Sequence, residues 1–290
     1  METKLPYGLK NDILVSIDEV DNGLRCECVC PSCKGQLMAR KGNIKIHHFA
    51  HYKVPDCGQG LETALHIISK EFFKNRTHFV TPPLFYKNGK FEIFSEQRIP
   101  IDGISFEQKI GEIIPDIIIE SKGKKLLVEI AVHHTVDYHK LQKIKSLNIA
   151  TIEIYAKHLL EDRYHKRDFG LERSSRFPDE LVTGTKFKRW IYNPKINHIK
   201  NNLRDNYAEL KPINSFKVPD HIDYEDYFNY VDDCPIAVKI WQSGAKKGQP
   251  YAKSSDCESC VYCVSTQNVI GVHCVGYLKA DLPKLIQNLK

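Results

Sequence analysis

The distribution of cysteine constrains this chain more than any other feature of its sequence. Ten cysteines fall into two groups, Cys26 to Cys57 and Cys234 to Cys274, and none lies between the groups. The chain shows no apolar run near its amino terminus that resembles a signal peptide, and no apolar stretch of membrane-spanning length. The sequence therefore predicts a cytoplasmic protein without membrane association. There, thiols stay reduced and clustered cysteines bind metal ions instead of forming disulfides.

The first cysteine group has the ligand types and the spacing of a structural zinc site. The expected Cys2His2 ligands are Cys30, Cys33, His48 and His51. Other nearby residues leave the choice of four ligands open: Cys26, Cys28, His47 and Cys57. A cysteine pair near a histidine pair also occurs in HNH nucleases, but no suitable Asn and His follow on a ββα framework. We therefore expect a zinc ion that clamps loops lacking an adequate core of their own.

The second cysteine group predicts a metal site built from thiolates alone. The expected zinc ligands are Cys234, Cys257, Cys260 and Cys274, with Cys263 as the alternate fourth ligand. An iron–sulfur cluster is the alternative, because thiolate-only sites hold either metal group. Lysines and tyrosines interleave with these cysteines and indicate nucleic-acid binding, with a plain solvated surface as the alternative: Lys246, Lys247, Tyr251, Lys253 and Tyr262.

The segment between the cysteine groups has the pattern of an α+β core. Apolar residues recur at helical spacing over residues 61–76, and Asp137 can N-cap a second helix that runs to about Leu147. The order is helix, three strands, helix, strand. The strand-like segments are residues 90–99, 107–109, 115–120, 125–132 and 150–155, with a turn at 121–124. Residues 157–230 are polar, with 197–210 as their best helical stretch.

Two carboxylates lie inside apolar, strand-like segments. Asp116 is surrounded by isoleucines, and Glu129 lies within a run of leucine, valine and isoleucine. A buried carboxylate is costly unless it is paired or bound to a metal ion. A tight hairpin would bring both acids to one end of a sheet, and carboxylate oxygens are ligands that Mg²⁺ favours. The alternative is a turn-end aspartate and a salt-bridged glutamate.

A third acid stands on the first predicted helix. Glu62, His66 and Lys70 are four residues apart and share one helix face. Glu62 by itself would be interpreted as part of a solvated face. Beside the two strand acids, it becomes a candidate functional residue.

These motifs together resemble a known nuclease family. Pro115-Asp116 followed by Glu129-Ile130-Ala131 looks like the PD-(D/E)xK nuclease signature. Four segments in order resemble CoiA-like competence proteins: Cys30-Pro31-Ser32-Cys33, His48-Phe49-Ala50-His51, Glu62-Thr63-Ala64-Leu65-His66 and Val128-Glu129-Ile130-Ala131-Val132-His133-His134. The resemblance covers about residues 25–155. It implies a restriction-endonuclease-like core, helix–three strands–helix–strand with a mixed sheet, behind a zinc-finger-like cap.

The resemblance also implies the roles of the acids. Asp116 and Glu129, with Glu62 directly or through water, would hold Mg²⁺ or Mn²⁺ for phosphodiester hydrolysis. The lysine that the signature places two residues after Glu129 is Ala131 in this chain. The expected catalytic set is Glu62, Asp116, Glu129, His133 and Lys70. Lys140 and Lys143 of the second helix are further candidates for the missing cation.

The resulting expectation is a metal-dependent nuclease in four segments. These are a zinc-binding cap (1–58), a nuclease core (59–160), a polar, partly helical linker (161–230) and a cysteine-rich zinc module (231–290). The substrate is nucleic acid, with DNA favoured over RNA and endonucleolytic cleavage favoured over exonucleolytic cleavage. The net charge of +6 agrees with a phosphate-bearing partner without requiring one.

The family resemblance suggests a role in DNA uptake, repair or defence, as a homodimer or with a partner protein. Ala131 motivates the first alternative, a catalytically degenerate, zinc-organised nucleic-acid-binding protein. A protein-interaction adaptor is the second alternative. It predicts no salt-dependent affinity for nucleic acid.

Overall fold

The computed structural model describes residues 4–87, 89–165, 172–217, 227–267 and 270–290. The helices are α1 (Gly60–Phe73), α2 (Tyr138–Leu147), α3 (Ala156–His165), α4 (Glu172–Thr183), α5 (Pro194–Asn206), α6 (Ser254–Ser259) and α7 (Leu282–Asn288). The strands are β1 (Tyr7–Lys10), β2 (Ile13–Ser16), β3 (Leu37–Arg40), β4 (His48–His51), β5 (His78–Thr81), β6 (Leu84–Tyr86), β7 (Phe91–Phe94), β8 (Gln97–Pro100), β9 (Gly103–Phe106), β10 (Ile117–Ser121), β11 (Lys124–Ala131), β12 (Ala150–Tyr155), β13 (Lys188–Tyr192), β14 (Glu209–Pro212), β15 (Asn214–Lys217), β16 (Tyr227–Asp232), β17 (Lys239–Ile240), β18 (Pro250–Lys253), β19 (Cys263–Gln267) and β20 (Gly271–Cys274). The expected mixture of helices and strands is confirmed. Within the described ranges, every helix is too short or too polar to cross a bilayer.

The chain divides into two compact units. The first unit contains Met1–Pro83 and Glu96–Asn193, and the second contains Leu84–Ser95 and Pro194–Lys290. The β6–β7 hairpin therefore belongs to the second unit although it lies inside the sequence of the first. The four-segment division stays a prediction.

A five-stranded mixed sheet organises the first unit. Its strand order is β13-β12-β11-β10-β9, with β11 and β12 parallel and every other neighbouring pair antiparallel. Strands β10 and β11 are apolar on both faces because both faces are covered. Ile117 and Val128 pack with residues of α1 on one face, while Ile118 and Leu127 pack with Ile144 of α2 on the other.

The second helix forms where its local signals predict it. The Asp137 carboxylate accepts a hydrogen bond from the Lys140 amide at 2.8 Å and caps the amino terminus of α2. At the other end, Asn148 adopts the left-handed conformation, with φ of 54°, and ends the helix. The turn between β10 and β11 lies at Lys122 and Gly123, as predicted, and both have positive φ.

Three segments differ from their sequence-based expectations. Residues 107–109 are loop, and the strand instead ends at Phe106, because Glu107 adopts a left-handed conformation with φ of 49°. Residues 90–99 form two strands, β7 and β8, instead of one. The polar region after residue 157 includes β13, which pairs with β12 and extends the sheet. Long-range pairing explains β13, since its own sequence has little periodicity.

Two small sheets organise the second unit. One has the order β14-β20-β19, and the other has the order β15-β16-β18-β17. In the first of these sheets Cys263 and Cys274 are cross-strand partners. Val231 and Ala252 of the second sheet are buried against cysteines of the carboxyl-terminal group.

Candidate functional site

One set of metal-ligating side chains comes together near the amino terminus. Potential ligand atoms of Cys30, Cys33, His51 and Cys57 all lie within 4.8 Å of one another. Cys33 Sγ is 3.2 Å from His51 Nε2, and Cys30 Sγ is 3.7 Å from Cys57 Sγ. Three thiols and one imidazole are a ligand set typical of structural zinc. The cluster can therefore hold a zinc ion.

A tight turn presents the first two of these cysteines. The Cys30 amide donates to the Gly35 carbonyl at 2.8 Å, and Lys34 takes a positive φ of 60° to complete the turn. Burial raises the pKa of the Cys30 thiol to about 12, although backbone amides of Cys33 and Ser32 hydrogen-bond its sulfur and act in the opposite direction. A Cβ at Gly35 would stand 3.3 Å from Cys33 Sγ, so glycine leaves the space that this sulfur needs.

The amino terminus of α1 supplies the setting for Cys57. Burial acts to raise the pKa of the Cys57 thiol, but hydrogen bonds from the Gln59 amide and other donors lower it overall. Gly60 keeps the approach open, because a Cβ there would lie 3.1 Å from Cys30 Sγ. Asp56 Oδ1 lies 3.7 Å from His51 Nδ1, which leaves Nε2 of that ring directed at Cys33.

The structure differs from the predicted zinc ligands at His48. Its Nδ1 lies 2.8 Å from the Ile46 carbonyl oxygen, and burial lowers the pKa of its imidazole. His48 and His51 are three residues apart on β4, so their side chains leave opposite faces of the strand. Cys57 completes the set in its place. The spacing pattern could not single out Cys57, because several other nearby cysteines and histidines were equally possible ligands.

Two other cysteines of this group belong to the core. The Cys26 thiol donates to the Leu37 carbonyl at 3.4 Å, and the Cys28 thiol donates to the Cys26 carbonyl at 3.2 Å. Both side chains are fully buried among apolar residues. Their thiols are thus hydrogen-bonded packing groups and not members of the ligand cluster.

A second constellation lies at the end of the β10–β11 hairpin. The Asp116 carboxylate accepts a hydrogen bond from the Ile130 amide at 2.7 Å, and its other oxygen lies 3.2 Å from His66 Nδ1 of α1. Burial acts to raise the pKa of Asp116, but His66 and the Ile130 amide together lower it overall. The antiparallel register, with Ile117 opposite Val128, places Asp116 beside Glu129.

Glu129 is the more deeply buried and less completely paired acid of the two. Its side chain is 6% exposed, and Lys140 Nζ of α2 donates to its Oε2 at 2.7 Å. Oε1 is buried and has no hydrogen-bond partner among the described residues. Burial raises the pKa of Glu129 to about 7. Lys140 opposes that shift, and the negative charges of Asp116 and Glu153 add to it.

Lys140 is the cation that the structure brings to the strand acids. Lys70 instead pairs with Glu107, whose amide donates to the Asp116 carbonyl, so Lys70 lies at the margin of the constellation. Lys143 Nζ lies 3.4 Å from Glu112. His133 is exposed beyond the end of β11, because the strand stops at Ala131 and its alternation of faces does not continue.

Glu62 is half-buried on α1, one turn before His66. Within the described part of the chain, the oxygens of Glu62, Asp116 and Glu129 do not gather within 4.8 Å of one another as a set of three. The structure thus joins Asp116 and Glu129 with His66 and Lys140, and leaves Glu62 at the side.

Glu153 is a residue of this region that the sequence patterns missed. It stands beside Glu129 in the parallel β11–β12 register and is fully buried. Arg189 Nη2 lies 2.8 Å from its Oε2, and the Val136 amide donates to its Oε1 at 2.6 Å. Glu153 thereby anchors the segment that leads into α2. The sequence contained a signal for this residue, since Glu153, like Glu129, is an acid within an apolar strand.

The carboxyl-terminal cysteines surround one cavity of the second unit. Cys234, Cys257, Cys260, Cys263 and Cys274 all line it, together with Tyr262. Burial raises the pKa of Cys257 to about 12, and the four neighbouring thiols add to that shift. In the described ranges, these sulfur atoms do not form a set of three within 4.8 Å. The choice of four zinc ligands, and the choice between zinc and an iron–sulfur cluster, stay predictions.

Comparison with known protein families places a match at the amino-terminal end of the chain. Residues 16–59 match a family model described as the N-terminal domain of competence protein CoiA. No curated protein and no solved structure matches the chain. The matched segment contains all four residues of the Cys/His cluster and ends before the helix that carries His66. The match supports the CoiA-like resemblance, and it shows that this amino-terminal segment is similar to the N-terminal domain of competence protein CoiA.

Proposed function

We propose that this chain is a CoiA-like, Mg²⁺- or Mn²⁺-dependent nuclease of the PD-(D/E)xK type that cleaves DNA internally. The observation that carries the proposal is the state of Glu129. It is a buried carboxylate next to a second carboxylate and within 2.7 Å of a lysine, and one of its oxygens has no partner in the part of the chain that the structure describes. A cation held between Asp116 and Glu129 would relieve both the unpaired oxygen and the repulsion between the acids.

The donor set suits a hard divalent cation. Asp116 and Glu129 offer carboxylate oxygens, which Mg²⁺ and Mn²⁺ prefer. Glu62, one turn before His66 on α1, would contribute only through water. When bound, such a cation supplies Lewis-acid activation of water and of the phosphoryl oxygen. The Cys/His cluster would hold structural zinc in the amino-terminal cap.

Lys140 takes the role of the signature lysine, whose position in this chain is occupied by Ala131. Its ammonium group faces Glu129 from α2 and can offset the charge that develops on a phosphodiester during attack. Glu153 supports this arrangement as a positioning residue. By accepting from the Val136 amide and pairing with Arg189, it fixes the chain just before the α2 N-cap at Asp137.

The topology of the first unit supports a restriction-endonuclease-like core. Helix α1 precedes the antiparallel strands β9, β10 and β11, helix α2 follows them, and β12 then pairs in parallel with β11. This order agrees with the proposed helix–three strands–helix–strand core with a mixed sheet when β5 to β8, which follow α1 in sequence and pair outside this sheet, are set aside. Strand β13 extends it by one antiparallel strand.

Cleavage of plasmid and of single-stranded circular DNA with added Mg²⁺ or Mn²⁺ tests the proposal. Asp116→Asn and Glu129→Gln should each lower the rate by about a hundredfold or more, because each removes a charge at the reacting centre. Glu120→Gln is the matched control. It lies on the same hairpin but is exposed beside Lys125, so its rate should stay near wild type.

The same assay tests which lysine replaces the lysine of the signature. Lys140→Ala should slow cleavage severely, whereas Lys70→Ala should have a small effect because Lys70 pairs with Glu107. Undiminished cleavage by Asp116→Asn or Glu129→Gln would reject this site. An equal loss in the two lysine variants would reject the role given to Lys140.

A catalytically degenerate, nucleic-acid-binding protein is the second candidate function. The observations that favour it are Ala131 at the motif lysine and the failure of Glu62 to join the other two acids. Salt-dependent DNA binding with no cleavage in Mg²⁺, Mn²⁺ or other divalent ions would identify that function.

A further inference from the structure

One sheet of the second unit carries its aromatic residues on a face that is not part of the core. Strands β15, β16 and β18 and the residue after β17 contribute five rings, which we call the aromatic face: Phe216, Phe228, Tyr230, Trp241 and Tyr251. Phe216 and Phe228 are direct cross-strand partners. Alternation along β16 puts Phe228 and Tyr230 on one side of the sheet and Val231 on the other.

The rings of the aromatic face form one continuous cluster. The Trp241 and Tyr251 rings are stacked, with centroids 4.1 Å apart and an interplanar angle of 19°. Tyr230 meets Trp241 edge to face at 5.2 Å, and Phe228 lies 5.0 Å from Phe216. The mutual packing holds the rings in fixed orientations.

The opposite side of this sheet already supplies the buried contacts. Val231 and Ala252 pack against Cys234, Cys257 and Cys263. The solvent side of such an antiparallel sheet is ordinarily polar. Here Phe216 is 43% exposed, and the other four rings of the aromatic face are partly exposed. Burial in the described unit therefore does not account for the aromatic face.

The charges around the aromatic face are those that suit a polyanion. Lys246 Nζ lies 4.8 Å from the centre of the Tyr230 ring, and Lys253 Nζ lies 5.4 Å from that of Phe228. Lys247 beside them is exposed. Asp232 pairs with Lys246 at 2.5 Å, so these two charges offset each other and Lys247 and Lys253 supply the positive charge of this surface. An apolar partner protein would need the rings but would gain nothing from the lysines.

We propose that the aromatic face binds single-stranded nucleic acid by stacking unpaired bases on its rings. Lys247 and Lys253 would contact the phosphates that flank the stacked bases. Stacking needs exposed base faces, which a duplex hides, so the site should discriminate single strands from duplexes. The aromatic face and the Asp116–Glu129 pair belong to different compact units, and binding at the face is expected whether or not that pair cleaves DNA.

The geometry also separates two tyrosines that the sequence grouped together. Tyr251 belongs to the aromatic face, stacked on Trp241. Tyr262 lines the cysteine cavity and meets Phe91 at 6.4 Å. Substitution of Tyr262 is therefore not a test of base stacking.

Fluorescence anisotropy with the full-length protein tests the site. The probes are a labelled single-stranded oligothymidine and a duplex of the same length, in buffer without added Mg²⁺ or Mn²⁺ so that no strand is cut. Phe216→Leu and Tyr251→Leu keep apolar volume but remove a stacking ring, and each should weaken single-strand binding by about tenfold. Lys247→Gln with Lys253→Gln should reduce the dependence of affinity on salt concentration.

Tyr277→Leu is the matched control, because Tyr277 is an exposed tyrosine of the same unit whose hydroxyl donates to the Tyr207 carbonyl. It should bind like wild type, and thermal unfolding confirms that each variant is folded. Equal affinity of folded Phe216→Leu, Tyr251→Leu and wild type would overturn the proposal. So would equal binding of the duplex and the single strand. Concentration-dependent self-association that Phe216→Leu abolishes, without oligonucleotide binding, would instead assign the face to a second copy of the chain.

The binding and cleavage experiments fail independently. Loss of single-strand affinity in Tyr251→Leu with intact metal-dependent cleavage supports the aromatic face alone. Cleavage that depends on Glu129 with no effect of Tyr251→Leu on binding supports the nuclease site and rejects the aromatic face.

Discussion

At the scale of single residues, two buried glutamates of the five-stranded sheet are the most informative feature. Glu129 and Glu153 are neighbours on parallel strands, yet their environments separate their roles. Glu153 has a guanidinium and an amide as partners, whereas Glu129 has one lysine and one oxygen without a partner among the described residues. The same residue type is thus fully paired in one strand and only partly paired in the next.

The raised pKa of Glu129 predicts a pH dependence of stability. Folding raises this pKa from 4.5 to about 7, so between those values the folded chain holds a proton that the unfolded chain has lost. Stability therefore falls as pH rises through that window. Relative to Glu129→Gln, wild type should lose on the order of 3 kcal/mol between about pH 4.5 and pH 7.5.

Urea unfolding of both proteins at several pH values, without added Mg²⁺ or Mn²⁺, measures this difference. The comparison with Glu129→Gln cancels contributions of other titrating groups, including those of the Cys/His cluster. A difference in free energy of unfolding that stays constant from pH 5 to pH 8 would contradict the buried, half-paired state of Glu129.

At the scale of secondary-structure elements, the Cys/His cluster lies where three local structures meet. It connects the turn after Cys30, the end of β4 and the amino terminus of α1. None of these pieces is long enough to form a core of its own. A metal ion bound where they meet would therefore contribute directly to the folding of this segment.

Substitution of single residues tests which side chains belong to the Cys/His cluster. Cys57→Ser should lower the zinc content of the purified protein by one atom per chain, since it removes a ligand. His48→Gln should retain that zinc, because His48 faces away from the cluster. Elemental analysis measures both. Cys28→Ala is the control for loss of a buried thiol that lies outside the cluster. Retention of zinc in Cys57→Ser, or its loss in His48→Gln, would return His48 to the ligand set.

At the scale of the whole molecule, the two compact units interleave along the chain. The sheet of the first unit includes β13 as an edge strand. This strand pairs with β12 and brings Arg189 to Glu153. The boundary predicted at residue 160 would remove that strand. A chain cut there would leave an unpaired sheet edge and a buried carboxylate without its guanidinium.

Truncation tests the extent of the first unit. A chain of residues 1–193 should unfold cooperatively, whereas a chain of residues 1–160 should show no cooperative transition by circular dichroism. Cooperative folding of residues 1–160 would show that the sheet is complete without β13. It would favour the nuclease-core boundary that the sequence predicted.

Much of this architecture follows from local sequence signals. Asp137 and Asn148 bound α2, and the Lys122-Gly123 turn joins β10 to β11. Glu129 is an acid within an apolar strand, and Asp116 immediately precedes one. These features depend on neighbouring residues, because helix caps, tight turns and side-chain periodicity are settled within a few residues. They could be predicted for that reason.

The tertiary structure decided which distant side chains meet. It placed Cys57 and not His48 with Cys30, and Lys140 and not Lys70 with Glu129. It also paired Glu153 with Arg189 and gathered five rings on one face of a small sheet. Such choices depend on how strands pair and helices pack over long sequence separations. The sequence by itself determined the kinds of chemical group available, and only the folded chain determined which of them share a site.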